Sequence, residues 1–85
     1  MAEYPKRIDG LQINTVEDGF IIYQPEKDRV HYLNHTAVLI LELCNGRNSV
    51  VDIVNLVKKA YSLMDTPEAE VKEIVAKMED EGLIQ

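Results

Sequence analysis

Apolar residues in the first part of the chain come in short runs separated by residues typical of turns. The three runs are LQINTV, FIIYQ and RVHYL, at residues 11–16, 20–24 and 29–33. Asp18-Gly19 between the first two runs is a hairpin signal, because glycine readily takes the positive φ of a tight turn. Pro25 and the polar residues after it are typical of a longer hairpin loop. We therefore predict a three-stranded antiparallel meander.

From Asn34 onward, the spacing of apolar residues is helical. Asn34 is a natural N-cap for a helix over residues 35–43, and Asn45-Gly46 supplies a left-handed exit from it. Apolar side chains point to nearly every side of this helix. Other elements must therefore cover it on most sides.

Two further helices follow. Ser49 caps the second helix, whose apolar positions form one broad stripe. The third helix is predicted to have Thr66 as its cap, Pro67 in its first turn and its end at Gly82. The predicted order is βββααα, an α+β fold. A small antiparallel sheet with three helices has the parts of a winged helix-turn-helix, so we expect a winged helix-turn-helix-like fold.

Length and composition fit one small domain. The chain has 85 residues, and we predict an N-terminal tail over residues 1–10 and a domain over residues 11–85. Apolar residues make up 46% and charged residues 28%, which is typical of neither a disordered nor a membrane protein. The longest apolar run is too short to span a bilayer, and the first residues have no signal-peptide pattern. Together with a single cysteine, Cys44, these features predict a cytoplasmic protein without a membrane partner.

The net charge of −6 argues against nucleic acid as a partner. A winged helix normally reads DNA with its last helix. Here the last helix carries six acidic residues against only Lys72 and Lys77, so it would repel a phosphate backbone. Fold and electrostatics thus disagree about function. We give more weight to the electrostatics, because function depends on the site and not on the fold.

Two stretches resemble the PqqD family, also described as the RiPP recognition element. They are VHYLNHTAVLILELCNGRNSVVDIVNLV at residues 30–57 and VKEIVAKMEDEGLIQ at residues 71–85, and the resemblance extends over residues 11–85. It implies a small non-catalytic module that binds the leader segment of a ribosomally synthesised precursor peptide. Such a module presents the peptide to a separate modifying enzyme, often a radical SAM protein and sometimes another RiPP maturase.

In this family the leader adds alongside the third strand and lies against the third helix. Exposed strand edges are templates for another strand, and the backbone hydrogen bonds that form give affinity whatever the peptide sequence. Carried over to this chain, the resemblance assigns the peptide-binding edge to Arg29, Val30, His31, Tyr32 and Leu33, and the groove wall to Val71, Lys72, Val75, Ala76 and Met78. Lys72 would attract an acidic leader residue.

Two points about these residues stay open in the sequence. Val30 and Tyr32 share one face of the strand and His31 and Leu33 the other, and either pair could face the groove. The apolar residues of the third helix have the spacing of a core-facing stripe as much as that of a groove wall.

Residues suited to catalysis or metal binding form no known pattern. The strand-to-helix junction separates His31 from His35, and with Cys44 they make no zinc-binding spacing. The sequence has no phosphate loop, paired-carboxylate cleft or nucleophile motif. We therefore expect no enzyme activity, no cofactor and no metal.

Two other hypotheses are a winged-helix DNA-binding regulator and an adaptor subunit that binds only its partner enzyme. A regulator would bind DNA in a salt-sensitive way through a basic patch, whereas an adaptor would bind protein but no free peptide. The oligomeric state is also open between a monomer and an edge-paired dimer, because the strand edge that accepts a leader could pair with its own copy.

Overall fold

The computed structural model describes residues 3–85 and has the predicted βββααα order. The α+β fold class is confirmed. Its elements are β1 (Gln12–Val16), β2 (Gly19–Gln24), a 3₁₀ turn (Pro25–Lys27), β3 (Arg29–Leu33), α1 (His35–Leu43), α2 (Val50–Ala60) and α3 (Glu68–Asp80).

The three strands form an antiparallel sheet in the order β1-β2-β3. At its centre Ile22 of β2 lies opposite Ile13 of β1 and His31 of β3, and Ile22 is fully buried against the helices. Cross-strand partners share a face, so this row belongs to the inner side of the sheet. Val30 and Tyr32 lie on the outer side and are exposed.

Gly19, at the turn between β1 and β2, is needed for a different physical reason from the one predicted. Gly19 was expected to supply a positive φ, but its φ is not positive and it begins β2. It is instead a position of close approach, because a Cβ atom there would lie 2.6 Å from the Leu33 carbonyl oxygen. Glycine is required at this position because β3 passes too close for a side chain. The local sequence around the turn gives no sign of that contact.

The caps of α1 and α2 are as predicted. Asn34 Oδ1 accepts a hydrogen bond from the Ala37 amide at 2.9 Å, which satisfies one of the donors that a helix start leaves without a partner. Ser49 and Asp52 form a reciprocal capping box at the start of α2.

The start of α3 is where the predicted cap is wrong. Pro67, and not Thr66, holds the N-cap position, with a ψ of 46° that is not helical, and α3 begins at Glu68. The Thr66 hydroxyl instead accepts from Lys58 Nζ at 3.3 Å and so links the loop to α2. The end of α3 at Gly82 is as expected, with the glycine at a φ of 75°.

The core lies between the inner side of the sheet and the three helices, with α1 at its centre. Ile40 and Leu41 of α1 are fully buried, and α1 packs against β2, β3, α2 and α3. The prediction that this helix is covered on most sides is confirmed. Burying such side chains contributes about 1.5–3 kcal/mol each, so α1 is a major source of stability.

Residues that precede β1 are hydrogen-bonded to the rest of the chain. Lys6 exchanges two backbone hydrogen bonds with Gln85, at 3.0 and 2.8 Å, while Arg7 donates to the Cys44 carbonyl and Ile8 to that of Leu83. The boundary at residue 11 between a tail and a domain stays a prediction. Within residues 3–85, no helix is both long enough and apolar enough to cross a membrane.

The Asn34 cap yields a prediction about stability. Asn34→Ala should lower the free energy of unfolding by about 1 kcal/mol, because the Ala37 amide loses its acceptor. Asn55→Ala is the matched control, since Asn55 is exposed within α2. Urea unfolding measures both changes, and an equal loss in the two variants would contradict the capping role.

Candidate functional site

The hydrogen-bonding pattern of the sheet follows from its first hairpin. The loop at residues 17–18 joins Val16 directly to Gly19, and such a closing pair in a two-residue hairpin is hydrogen-bonded. In an antiparallel ladder these pairs alternate along the strand. Phe20 and Ile22 of β2 therefore direct their backbone groups away from β1 and toward β3.

The same alternation defines the open edge of β3. The partners of Phe20, Ile22 and Gln24 are Leu33, His31 and Arg29, so these three residues bond to β2. Val30 and Tyr32 direct their amides and carbonyls to the opposite side. Among residues 3–85 β3 has a strand neighbour only in β2, so this edge presents two donors and two acceptors to a partner.

An apolar groove lies beside this edge, between β3, the first turn of α1 and α3. Its volume is about 230 Å³, and its lining residues are Tyr32, Leu33, Asn34, Ala37, Ile74, Lys77, Met78 and Glu81. Leu33, Ala37 and Met78 form a buried apolar floor, and the charged Lys77 and Glu81 lie at the rim. The groove therefore suits a peptide with an apolar side chain and a polar backbone.

A hydrogen-bonded network connects the open strand to the end of α3. His31 Nδ1 lies 3.0 Å from Glu81 Oε2, and His31 Nε2 lies 3.0 Å from Gln24 Oε1. The Gln24 amide donates in turn to the Gly82 carbonyl at 3.3 Å. Both ring nitrogens of this buried imidazole therefore have an oxygen partner. The network therefore connects β3 to the end of α3 beside Glu81, which lines the groove.

The residues assigned to the edge form two groups, one with exposed side chains and one with side chains buried in the core. Val30 is 64% and Tyr32 59% exposed, and Arg29 is also exposed. His31 and Leu33 are buried on the inner side of the sheet. The core pair, which the sequence left open, is therefore His31 and Leu33. The Tyr32 hydroxyl donates to the Asp18 carbonyl at 2.7 Å, which holds this side chain across the end of the sheet.

The residues assigned to the α3 wall lie on different sides of the helix. Val71, Val75 and Met78 are almost fully buried in the core, and only Met78 also lines the groove. Lys72 is exposed and pairs with Glu68 at 2.7 Å, a contact that lowers the pKa of the Glu68 carboxyl. Ala76 is half-buried. The peptide-binding role of all these residues stays a prediction.

Two residues of α3, Ile74 and Lys77, and its C-cap Glu81 line the groove, although the sequence reasoning did not assign them to it. Ile74, Lys77 and Glu81 fall within about 60° of one another around the helix, at 100° per residue. Lys72 and Ala76 lie about 160° from Ile74 and so face away from β3. The spacing i, i+3, i+7 was visible in the sequence, but only the packing shows which stripe of α3 faces β3.

The side chains considered for chemistry have other surroundings. His35 packs edge-on against Phe20, with ring centroids 5.2 Å apart, whereas His31 belongs to the network described above. Burial raises the pKa of the Cys44 thiol to about 11, which disfavours the reactive thiolate. Within residues 3–85, no group of three or more His, Cys, Asp or Glu side chains is placed to hold a metal ion.

The structure has a strand with an open edge beside an apolar groove, on a small α+β scaffold, and strand-adding peptide-binding modules use the same combination of features. The sequence model for coenzyme PQQ synthesis protein D (PqqD) matches residues 19–84, more than three quarters of the chain. The chain belongs to this family, the RiPP recognition element family, whose members are non-catalytic accessory proteins in biosynthesis. No curated protein and no solved structure was found to match it.

The network yields a second prediction. His31→Ala should lower the free energy of unfolding by about 1–3 kcal/mol, because Gln24 and Glu81 lose a buried partner. His35→Ala removes the same side chain from an exposed position and is the control. Chemical denaturation measures both variants. A smaller loss for His31→Ala than for His35→Ala would contradict the structural role of the network.

The buried thiol yields a third prediction. With its pKa raised from 9.0 to about 11, Cys44 carries about 100-fold less thiolate than a free cysteine at pH 8. Alkylation by iodoacetamide should therefore be at least 100-fold slower in the folded protein than in urea. Mass spectrometry follows the reaction, and comparable rates in the two conditions would show that the thiol is accessible and reactive.

Proposed function

We propose that this protein binds the leader segment of a ribosomally synthesised precursor peptide by strand addition to β3. The observation that carries the proposal is the open edge of β3, where Val30 and Tyr32 present unpaired backbone groups beside the apolar groove. Membership of the PqqD family supports a role as a binding partner in RiPP biosynthesis. In this proposal the protein presents the bound peptide to a separate modifying enzyme, a radical SAM protein or another maturase.

Approximate contact energies give an expected affinity and indicate which contacts determine sequence preference. Four backbone hydrogen bonds at about 1 kcal/mol net each supply about half of the 8 kcal/mol of a micromolar complex. Ordering a disordered leader costs a further 2–5 kcal/mol or so. Apolar contacts in the groove must supply the remainder, so sequence preference should depend on the side chains that face Ile74 and Met78.

The charge of α3 disfavours the alternative of a DNA-binding regulator. Exposed Glu70, Glu73 and Asp80 lie on the helix that a winged-helix regulator would bring to the phosphate backbone. The buried, reduced Cys44 suits action in the cytoplasm, and that location forms part of the proposal.

The test is an amide-shift titration of the ¹⁵N-labelled protein with the leader half of a candidate precursor peptide. We expect shifts along residues 29–33 and on the groove side of α3, around Ile74 and Lys77. Absence of shifts at saturating peptide would contradict leader binding and favour an adaptor that contacts only its enzyme.

Proline variants test the strand-addition mechanism. Val30→Pro removes an amide that points to the open edge and takes no part in the β2 ladder, so the fold should persist while peptide affinity falls at least tenfold. Thr15→Pro is the matched control, because the same alternation directs the Thr15 amide to the opposite edge, on β1. If folded Val30→Pro bound the leader with unchanged affinity, strand addition would be wrong.

A further inference from the structure

A second apolar pocket lies beyond the groove, between the first turn of α1, the end of α2 and the start of α3. Its volume is about 340 Å³. Val57 and Val71 form its buried floor, and Tyr61, Leu63 and Pro67 form its walls. Tyr61 is 43% and Leu63 40% exposed, so large apolar side chains are left partly open to solvent around a concave surface.

This pocket continues the groove along α3. Glu70 lines the pocket and Ile74 lines the groove, one helical turn or about 6 Å apart on the same side of the helix. On the facing side, Thr36 lines the pocket and its neighbour Ala37 lines the groove. An extended peptide advances about 3.3 Å per residue, so two residues beyond the groove bring a side chain to the second pocket.

The loop that forms the pocket wall is held in a strained conformation. Ser62 has a φ of 51°, in the left-handed region that favours glycine. The Leu63 amide donates to the Lys58 carbonyl and that of Ser62 to Lys59, the two bonds of a Schellman motif. In that motif the residue at the position of Leu63 commonly packs back on its own helix. Here the strained turn directs Leu63 into the pocket wall.

The acidic residues around the pocket indicate the charge of the segment that would occupy it. Glu70 of α3 lies at the rim of the pocket, and the exposed Asp65 of the preceding loop lines an adjoining surface pocket together with Glu70. An incoming segment with a basic residue beside its apolar side chain would complement both, whereas an acidic segment would be repelled. The continuity with the groove and this charge together point to the same peptide chain as the occupant.

We propose that the second pocket binds an apolar side chain of the precursor peptide, adjacent to a basic residue and about two residues beyond the part of the peptide that occupies the groove. This inference rests on the proposed function and adds a specificity subsite to it. Because β3 runs toward α1, the subsite lies at the Leu33 end of the edge. A leader that pairs antiparallel to β3 would reach it with residues that precede the paired segment.

The test compares two peptides on the full chain by fluorescence anisotropy. One is the complete leader. The other is the same leader shortened to the segment that still shifts the amide signals of residues 29–33. Leu63→Glu should weaken binding of the complete leader about tenfold and leave the shortened leader unaffected. Met64→Glu is the control, because Met64 is 95% exposed in the same loop and does not line the pocket.

The charge of the rim is tested in the same assay. Glu70→Lys should weaken the complete leader several-fold at low salt, with a smaller effect at high salt and none on the shortened leader. Amide spectra of each variant verify its fold.

The outcomes separate this inference from the proposed function. Unchanged affinity of Leu63→Glu for the complete leader, with Val30→Pro still weakening it, would overturn the second subsite and leave the groove in place. Equal weakening by Leu63→Glu and Met64→Glu would also overturn it, because the effect would then be general to the loop. If the wild type bound neither peptide, the proposed function and the subsite would both be wrong.

Discussion

The fold depends on the burial of α1, a helix that is apolar on nearly every side and that every other layer of the molecule covers. Ile40 and Leu41 lose all contact with solvent, and the sheet, α2 and α3 each supply one of the surfaces against which they pack. Because β3 runs directly into α1 through the Asn34 cap, the position of the strand is fixed at one end by the core itself. A strand that would be marginal by itself thus becomes a rigid part of the surface.

The middle of β3 is fixed by side-chain hydrogen bonds. His31 connects the strand to Glu81 at the end of α3, while Gln24 joins β2 to the same turn through Gly82. The groove between β3 and α3 is therefore held by the core and by this network before any partner arrives. Preorganisation of this kind lowers the entropy cost on the protein side, so that most of the ordering cost falls on the incoming peptide. The same rigid edge is also open to pairing with a second copy, which keeps an edge-paired dimer as a proposal beside the monomer.

The sequence predicted those features that local signals determine. The bounds of α1, the Asn34 and Ser49 caps and the order of the strands follow from side-chain periodicity and from capping groups within a few residues. The role of Gly19 was misjudged because the Leu33 carbonyl that requires it lies fourteen residues away in the chain. Thr66 is a plausible cap in the sequence, but its hydroxyl bonds to Lys58 of the preceding helix.

Only part of the candidate site could be predicted, because only part of it depends on local sequence signals. The edge strand could be identified, since a meander always leaves its last strand with a free side. The α3 wall could not, because Ile74 and Lys72 both fit an amphipathic helix and only the rotation of α3 against β3 distinguishes them. Tertiary packing therefore determines which helical residues line the groove.

Amide hydrogen exchange at β3, measured by NMR with and without the leader peptide, tests the central claim most directly. In the free protein the amides of His31 and Leu33 should be protected by their bonds to β2, whereas those of Val30 and Tyr32 should exchange rapidly. Saturating peptide should protect Val30 and Tyr32 in turn. If these two amides still exchanged rapidly in the complex, the guest strand would not lie on this edge and the account would be contradicted.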